Sequence, residues 1–328
     1  MNKKILVTGG AGYIGPFVVR SLKESGYEVV ILDNFVAGHK QAVSEFRLEE
    51  IDLVSQNDKL LSLFKKERFD AVVHMASLIQ MGESYQNPAI YYKNNVIGFL
   101  NLLDAMMAGD CKKIIISSSA GVYGIPKRLP IKEDDPKNPL NPYGETKYIL
   151  EKILRDYDTA YGLKHVAFRY FNAAGASLDG EIGEAHPNES HLIPNVIQKI
   201  LNDKEVQIFG DDYNTDDGTC VRDYIHVLDL AEAHLKGLSF LFDRNESLVV
   251  NIGIGKGYSN KEIVSMVEKL SGLVAKVNYL PRRLGDADKL YASNKLALKI
   301  LGWRPKYGLE QIIATALLWH KKHPLGYT

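Results

Sequence analysis

Short apolar runs rich in β-branched residues alternate with longer amphipathic stretches through the first half of the chain. The apolar runs occupy residues 4–7, 28–32, 71–74, 113–117 and 165–168. The amphipathic stretches, which have helical spacing, occupy residues 16–25, 58–66, 91–107 and 144–161. This alternation predicts an α/β fold, in which a doubly wound parallel sheet carries helices on both faces.

The character of the sequence changes after residue 172, where loops rich in Gly, Asp, Asn and Pro separate the apolar segments. We therefore predict a first domain over residues 1–172 and a second, smaller α/β lobe over residues 173–328. The apolar segments 224–227 and 248–252 are expected to return to the first sheet. The two domains should therefore be partly interleaved.

A glycine-rich turn follows the first apolar run. Gly9, Gly12 and Gly15 are spaced three residues apart, and glycine at such a turn permits positive φ and lets a pyrophosphate approach the backbone N–H groups. The next apolar run leads to Asp33, near the ~20-residue distance expected in a dinucleotide-binding unit. The pattern predicts a Rossmann sheet that binds NAD rather than NADP, with Asp33 on the adenine ribose. In the alternative interpretation, Asp33 only caps the following turn.

Hydroxyl groups collect at the end of the run 113–117, at the edge where open α/β sheets bind ligands. Ser119 lies just beyond it, and Tyr143 and Lys147 follow one helical turn apart on one face. The Lys147 ammonium group would lower the pKa of the Tyr143 phenol and make it a base near neutral pH, with Ser119 donating to the same substrate oxygen. The alternative is an ordinary exposed helix pair, since the chain has 18 tyrosines. Asn94 is predicted to lie near the cofactor, rather than to be a plain polar helix position.

Composition and charge exclude several classes of function. Forty Lys and Arg residues balance forty Asp and Glu residues, so no net charge attracts nucleic acid or an anionic membrane. No apolar run of this sequence approaches the roughly 18 residues of a membrane span. The two cysteines, Cys111 and Cys220, have neither a disulfide-framework spacing nor a metal-ligand spacing. The composition therefore predicts a cytoplasmic protein without a metal site.

Longer motifs are more specific than these patterns. They are Gly-Glu-Ser at 82–84, Tyr-Tyr-Lys-Asn-Asn-Val at 91–96, Arg-Tyr-Phe-Asn at 169–172, Asp-Gly-Thr-Cys-Val-Arg-Asp-Tyr-Ile-His-Val at 217–227, Arg-Arg-Leu-Gly-Asp at 282–286 and His-Pro-Leu-Gly-Tyr at 323–327. With these motifs, essentially the whole chain resembles the UDP-glucose (UDP-galactose) 4-epimerase family of the extended short-chain dehydrogenase/reductase superfamily. The resemblance implies a tightly held NAD, a UDP-hexose substrate bound by the second lobe, and a homodimer assembled through helices.

The resemblance also implies roles for individual residues. The catalytic residues would be Ser119, Tyr143 and Lys147. The residues implied at NAD are Gly9, Gly12, Tyr13, Ile14, Gly15, Asp33, Asn34, Asp52, Leu53, Asn94, Ser119, Tyr143, Lys147 and Phe171. The residues implied at the UDP-sugar are Ser119, Tyr143, Asn172, His191, Leu192, Phe209, Arg222, Arg283, Asp286 and Leu290. Arg222 and Arg283 suit a diphosphate because guanidinium pairs bidentately with phosphate oxygens, although either could instead form a surface salt bridge.

The implied reaction interconverts UDP-glucose and UDP-galactose. C4 is oxidised as Tyr143 takes the 4-hydroxyl proton, the 4-keto sugar rotates, and reduction on the opposite face gives the epimer. The sequence departs from the family pattern at four positions. Gly121 stands where threonine is usual, and Ile79 stands where many members have a lysine. His191 stands where asparagine is frequent, and Leu290 where tyrosine or cysteine is usual. Because Leu290 would lie beside the C2 substituent, weaker activity on UDP-N-acetylhexosamines is expected.

Three other functions compete with this one. A nucleotide-sugar 4,6-dehydratase would have Thr-Asp-Glu where Ser119, Ala120 and Gly121 stand and would need the two carboxyl groups of that motif. A decarboxylase would be expected to have glutamate at position 121. A nucleotide-sensing regulator on an inactive dehydrogenase fold need not keep Tyr143 and Lys147. The residues therefore favour the epimerase.

Overall fold

The computed structural model describes residues 2–186, 189–283 and 285–327. The strands are β1 (Lys4–Thr8), β2 (Glu28–Asp33), β3 (Arg47–Glu50), β4 (Ala71–His74), β5 (Lys113–Ser119), β6 (Lys164–Tyr170), β7 (Asn172–Ala174), β8 (Glu205–Phe209), β9 (Val221–Arg222), β10 (Tyr224–His226), β11 (Leu248–Ile252), β12 (Tyr258–Ser259), β13 (Lys276–Leu280) and β14 (Lys289–Leu290).

The helices are α1 (Gly15–Glu24), α2 (Asn57–Lys66), α3 (Met81–Gln86), α4 (Pro88–Tyr91), α5 (Gly98–Ala108), α6 (Pro142–Tyr161), α7 (Leu192–Leu201), α8 (Val227–Arg244), α9 (Asn260–Ser271), α10 (Lys295–Leu301) and α11 (Leu309–Lys322). A π-helical segment, Tyr92–Ile97, joins α4 to α5. In the residues that the structure describes, no helix is both long enough and apolar enough to cross a membrane.

Seven strands form one sheet, in the order β11-β6-β5-β4-β1-β2-β3. The pairs β1–β2, β1–β4, β2–β3 and β4–β5 are parallel. The order reverses beside β1, as it does in sheets wound in both directions. The predicted doubly wound parallel sheet is therefore confirmed.

One of the two later segments expected in this sheet lies elsewhere. Strand β11 (Leu248–Ile252) does join it, beside β6. Strand β10 (Tyr224–His226) instead pairs in parallel with β7 (Asn172–Ala174), in a separate two-stranded sheet. The expectation for residues 224–227 was therefore wrong, because an apolar run alone does not specify which strand it pairs with.

Two compact units are each built from three separate segments. The first unit contains Met1–Tyr123, Lys137–Arg169 and Ala231–Val250, and the second contains Gly124–Pro136, Tyr170–Leu230 and Asn251–Thr328. The core of the first unit lies between its sheet and helices α2, α5 and α6, with Phe64, Phe99 and Leu150 fully buried. The second unit has its own core, formed largely by α7, α9 and α11, where Ile197, Ile263 and Ile312 are buried.

Helix α6 begins and ends at residues suited to those positions. The Asn141 side-chain oxygen accepts the N–H of Gly144 at 2.8 Å, and Pro142 is the first helical residue. Gly162 ends the helix with φ of +70°. A Cβ at Gly144 would lie 2.7 Å from the carbonyl oxygen of Gly121, so only glycine lets the start of α6 lie against the end of β5. This close approach places Tyr143 and Lys147 beside Ser119.

Candidate functional site

The glycine turn between β1 and α1 has the shape expected of a pyrophosphate site. Gly9 has φ of +71°, and a Cβ there would lie 2.4 Å from the backbone nitrogen of Ala76. A Cβ at Gly15 would lie 2.3 Å from the carbonyl oxygen of Gly10. A Cβ at Gly12 would meet nothing closer than 3.4 Å. Gly9 and Gly15 are thus required by the protein's own packing, whereas Gly12 leaves a clear approach to the backbone.

Asp33 ends strand β2 directly beside this turn. Its carboxylate accepts the N–H of Ala11 at 3.0 Å and the N–H of Phe35 at 2.8 Å. Burial raises the pKa of Asp33, and the backbone N–H donors oppose that rise. The carboxylate thus holds the glycine turn against the next loop. Asp33 therefore caps the turn, as in the alternative interpretation, and this contact is compatible with a ribose-binding role.

Most other residues implied at the cofactor lie in the same unit, around the end of β2 and the start of α1. The Asn34 side chain donates to Asp52 at 2.7 Å. Asp52 also accepts N–H groups from Val54 and Ser55. Leu53, next in sequence, is buried. Tyr13 and Ile14 are half-buried in the glycine turn, where Ile14 immediately precedes α1.

Ser119, Tyr143 and Lys147 meet at the carboxyl end of β5. The Ser119 hydroxyl oxygen accepts the N–H of Gly121 at 3.0 Å and hydrogen-bonds to the Tyr143 phenol. The Lys147 Nζ, on a side chain that is 1% exposed, donates to the Ser117 carbonyl and to the Ser77 hydroxyl, each at 2.7 Å. The three residues that the sequence analysis predicted as catalytic therefore form one constellation in the first unit.

Burial shifts the pKa of both titratable groups of this constellation. Burial raises the pKa of Tyr143, and it is the hydrogen bond from Ser119 that lowers it. The Lys147 Nζ lies 5.8 Å from the Tyr143 ring centre, and burial lowers the pKa of this lysine to about 7. Burial thus disfavours the charged form of both groups, and the expectation that the Lys147 charge lowers the pKa of the Tyr143 phenol stays a prediction.

The π-helical segment holds the neighbouring asparagines. The Asn95 side chain is buried and bonds to the N–H and the carbonyl of Leu78 and to the Thr146 hydroxyl. Asn94, the residue chosen from the sequence, is half-buried and donates to Asn95 at 3.0 Å. The sequence analysis missed Asn95 and Ser77. Ser77 could have been identified because it follows the end of β4, at the edge where such sheets bind ligands. Nothing in the helical pattern distinguished Asn95 from Asn94.

A buried ion pair lies directly behind this constellation. Arg169 donates to both carboxylate oxygens of Glu151, at 2.9 and 2.7 Å. Arg169 also donates to the Tyr123 hydroxyl, and Ser118 donates to Glu151 at 2.6 Å. Because breaking a buried pair leaves an uncompensated charge, this network ties α6 firmly to β5 and β6.

The second unit brings together several residues implied at the UDP-sugar. Arg222 donates to the carbonyl of Ala287 at 2.7 Å and pairs with Asp286 at 3.3 Å. Leu290 is the register partner of Arg222 across β14 and β9. The Arg283 guanidinium lies 3.9 Å from the ring centre of Phe209. The Asp286 N–H donates to the Arg283 carbonyl at 3.4 Å, which joins these five predicted residues into one group. The Arg222–Asp286 salt bridge within it is half-buried.

The remaining predicted residues lie at two other places in the second unit. Asn172 is exposed, and its side chain donates to the carbonyl of Asp223 at 2.9 Å, one residue from Arg222. Phe171 is buried and its N–H donates to the carbonyl of Ile252. Leu192 is the first residue of α7.

His191 belongs to a separate cluster, just before α7. Its Nδ1 atom pairs with Glu184, and the ring packs edge-on against His186 with 5.4 Å between centres. Partial burial opposes protonation, but the charges of Glu184 and Glu189 raise the pKa of His191 to about 9. The sequence analysis, which predicted no metal site, missed the grouping of these four residues, although their spacing as Glu-x-His-x-x-Glu-x-His was visible.

The glycine turn, the acidic strand end and the Ser/Tyr/Lys constellation can be compared with known proteins. Residues 5–253 match the model of the "NAD dependent epimerase/dehydratase family". The chain belongs to this family. Its members' dependence on NAD agrees with the geometry of the turn and of Asp33.

Individual relatives of the family extend the similarity to the full chain. The chain is 47% identical to a UDP-glucose 4-epimerase of Lactobacillus helveticus, covering 99% of both chains. It is similar to the UDP-glucose 4-epimerase of Brucella ovis in complex with NAD, with 44% identity, a TM-score of 0.93, and 96% and 97% of the two chains covered. It is also similar to that of Bifidobacterium longum in complex with NAD+ and UDP, with 38% identity, a TM-score of 0.93, and 99% and 100% covered.

Proposed function

We propose that this protein interconverts UDP-glucose and UDP-galactose by inverting C4 of the hexose. The observation that carries the proposal is the hydrogen bond between Ser119 and Tyr143 beside the buried Lys147. This arrangement provides a proton acceptor and a hydroxyl donor for one alcohol oxygen. The family and the full-length relatives named as UDP-glucose 4-epimerases support the choice of substrate.

The first unit fits NAD on its own geometry. Gly12 leaves the backbone of the turn open, and the N-terminus of α1 follows at once, where N–H groups and the helix dipole favour a pyrophosphate. Asp33 would accept hydrogen bonds from the adenine ribose, with Asn34, Asp52 and Leu53 nearby. Phe171, from the second unit, remains a proposed contact. When bound, NAD accepts a hydride from C4 and later returns it.

The protein's own groups would move the proton and orient the sugar. Tyr143, as phenolate, takes the proton of the 4-hydroxyl group as the C–H bond at C4 breaks, which leaves a 4-keto sugar. Ser119 donates to the same oxygen and holds it against Tyr143. When the opposite ring face has been presented, Tyr143 returns the proton to the oxygen. Lys147 donates to the Ser77 hydroxyl and to the Ser117 carbonyl, and these bonds would hold the start of α6, with Tyr143, against the end of β5.

The second unit would hold the nucleotide during the rotation of the sugar. Arg222 and Arg283 would bind the diphosphate, with the carboxylate of Asp286 already orienting Arg222. Asn172, Leu192, Phe209 and Leu290 are proposed to complete this site. Fixing the diphosphate leaves the hexose free to turn, so binding at a distance supports the reaction at C4.

Two of the competing reactions, the dehydratase and the decarboxylase reactions, would need a carboxyl group in segment 119–121. Elimination from a 4-keto sugar needs an acid and a base at C5 and C6, and the segment 119–121 has no carboxyl group. A Cβ at Gly121 would lie 3.3 Å from the Ser119 oxygen, so a larger residue there would press on the Ser119 hydroxyl. A non-catalytic regulator would not need the buried Lys147.

The test is to incubate the purified protein with UDP-galactose without added cofactor and to separate the products. We expect UDP-glucose to accumulate to a constant ratio of the two sugars. The Tyr143→Phe variant should bind UDP and turn over about 10²–10⁴ times more slowly. No product from wild type, or a 4-keto-6-deoxy sugar as product, would refute the proposed reaction.

We also propose that the protein is a cytoplasmic homodimer. Three large apolar side chains on α4 and the π-helical segment are exposed: Ile90, Tyr92 and Ile97. A second copy of the same helices would cover them. Light scattering should give twice the chain mass, and Ile97→Glu should lower it to the mass of one chain. Free, buried Cys111 and Cys220 accord with a reducing compartment.

A further inference from the structure

Four side chains of metal-binding type converge just before α7, in the second unit. Glu184, His186, Glu189 and His191 each present one donor atom, and these atoms lie within 4.8 Å of one another. Both imidazoles turn Nδ1 towards the same carboxylate oxygen of Glu184. Nothing in the proposed epimerase reaction uses His186, Glu184 or Glu189.

The spacing of the donor atoms matches a small tetrahedral ion. The His186 Nδ1 lies 3.4 Å from Glu184 Oε1 and 3.2 Å from Glu189 Oε2, and the His191 Nδ1 lies 3.9 Å from the other Glu189 oxygen, Oε1. Bonds of about 2.0–2.1 Å from Zn²⁺ to nitrogen and oxygen place tetrahedral donors about 3.3 Å apart. An ion at the centre would therefore need only small side-chain shifts, chiefly at the close contact between His191 and Glu184.

The ligand types select among cations. Two imidazoles and two carboxylates suit Zn²⁺ and similar divalent transition metals, whereas Mg²⁺ and Ca²⁺ prefer oxygen alone. The His191 side chain is 42% exposed and the Glu184 side chain 5%. An ion could therefore enter from the His191 side and rest against a buried carboxylate.

Hydrogen bonds from neighbouring residues hold Glu184, Glu189 and His191 in place. The Trp319 indole N–H donates to the Glu184 carbonyl at 3.1 Å. The Asn195 side chain, on α7, donates to the carbonyls of Glu189 and His191. The Glu189 Oε1 atom accepts the N–H groups of Ser190 and His191, which leaves Oε2 directed at His186. These bonds fix carboxylate orientation as outer-shell partners do in metal sites.

We propose that Glu184, His186, Glu189 and His191 bind one Zn²⁺ ion per chain and that this ion joins the segment before α7 into a closed structural site. All four positions are filled by protein, as in structural zinc sites, so the ion would have no open position for catalysis. Because His191 and Leu192 follow the site directly, metal binding would hold the entry to α7 in one conformation.

The test uses the full-length chain without a histidine tag, treated with EDTA and then passed through gel filtration. The protein is incubated with ZnCl₂, freed of excess metal and measured for zinc by elemental analysis, and Zn²⁺ affinity is measured by competition with a chromophoric chelator. We expect one zinc per chain and a higher melting temperature with Zn²⁺ but not with Mg²⁺. Co²⁺ in place of Zn²⁺ should give the intense visible absorption of a tetrahedral site.

The variants separate this site from non-specific binding. His186→Ala should bind Zn²⁺ at least about tenfold more weakly, and Glu189→Gln should behave in the same way if His186→Ala fails to fold. His39→Ala, which removes a histidine outside the cluster, should bind Zn²⁺ like wild type. Folding of each variant is checked by circular dichroism and by its NAD content. No retained zinc in wild type, or equal affinity in wild type and His186→Ala, would show that the cluster is only a set of His–Glu ion pairs.

Discussion

The position of a single hydroxyl group sets the acid–base chemistry proposed for this protein. Ser119 accepts a hydrogen bond from the Gly121 N–H and bonds to the Tyr143 phenol. The first bond orients the serine hydroxyl, and the second stabilises negative charge on the phenol oxygen. The effect opposes burial, which raises the pKa of Tyr143.

Replacing Ser119 should therefore move the pH dependence of the reaction. A general base works in its deprotonated form, so kcat/KM falls as the pH drops below the pKa of that base. Ser119→Ala removes the bond that lowers the pKa of Tyr143, so the pKa rises and the falling limb should move to higher pH. The measurement is the pH profile of kcat/KM for UDP-galactose in wild type and variant. A limb that stays in place or moves to lower pH would contradict the role given to Ser119.

A second residue-scale prediction concerns sugar selectivity at Leu290. This residue is fixed by its strand pairing with Arg222 and by the hydrogen bond from the Asp223 N–H to its carbonyl, at 3.1 Å. If it faces the C2 substituent, Leu290→Tyr should suppress activity on UDP-N-acetylgalactosamine and Leu290→Ser should raise it. One clash or one lost apolar contact is worth roughly 10–200-fold in kcat/KM. An unchanged ratio between the two sugars in both variants would remove Leu290 from the sugar site.

At the scale of elements, helix α6 is the part on which the constellation depends. Its second and sixth residues are Tyr143 and Lys147, and the Asn141 cap lies directly before them. Farther along, Glu151 pairs with Arg169 on β6. The helix is therefore fixed at its start by a cap and along its length by a buried charge pair, which restricts movement of Tyr143 relative to Ser119.

Loss of the α6 cap should reduce both stability and turnover. Asn141→Ala removes the acceptor for the Gly144 N–H and should cost about 1 kcal/mol of unfolding free energy. Ser259→Ala is the control, because Ser259 caps α9 in the second unit through the Glu262 N–H and also donates to Asp217. We expect at least as much destabilisation from Ser259→Ala in denaturant titrations, but a larger fall in kcat for Asn141→Ala. Equal effects on kcat would show that the cap does not position Tyr143.

The elements that the sequence predicted are those with strong periodicity. The run ending at Asp33 and the helix carrying Tyr143 and Lys147 were both found, because buried parallel strands are continuously apolar and the helix is amphipathic. Strand β3 was missed because its sequence, Arg-Leu-Glu-Glu, belongs to a charged sheet edge. The predicted helix 91–107 was found as α4, a π-helical segment and α5. Periodicity does not distinguish a π-helical turn from an α-helical one.

At the scale of the whole molecule, each unit combines segments that are far apart in sequence. Strand β11, near residue 250, pairs beside β6, and the segment Gly124–Pro136 belongs to the second unit although it follows β5. A boundary drawn at residue 172 from a change in loop composition could not represent this, because composition carries no information on long-range pairing. The motifs singled out Ser119, Tyr143 and Lys147, which the structure brings together, whereas the contacts of Asn95 became apparent only from three-dimensional proximity.

The proposed reaction also requires that the whole molecule keep its cofactor. Both hydride transfers involve the same NAD, so release between them would strand the 4-keto sugar, and the protein should therefore purify with NAD bound. Gly12→Ala tests the site because a Cβ there meets no protein atom closer than 3.4 Å and should leave the fold intact, while it would occupy the pyrophosphate approach. Gly82→Ala is the control, since a Cβ at Gly82 meets nothing within 4 Å. After acid denaturation, chromatography of the supernatant should show NAD from wild type and Gly82→Ala and much less from Gly12→Ala. Full retention by Gly12→Ala would place the pyrophosphate elsewhere, and NADP in place of NAD would contradict the role proposed for Asp33.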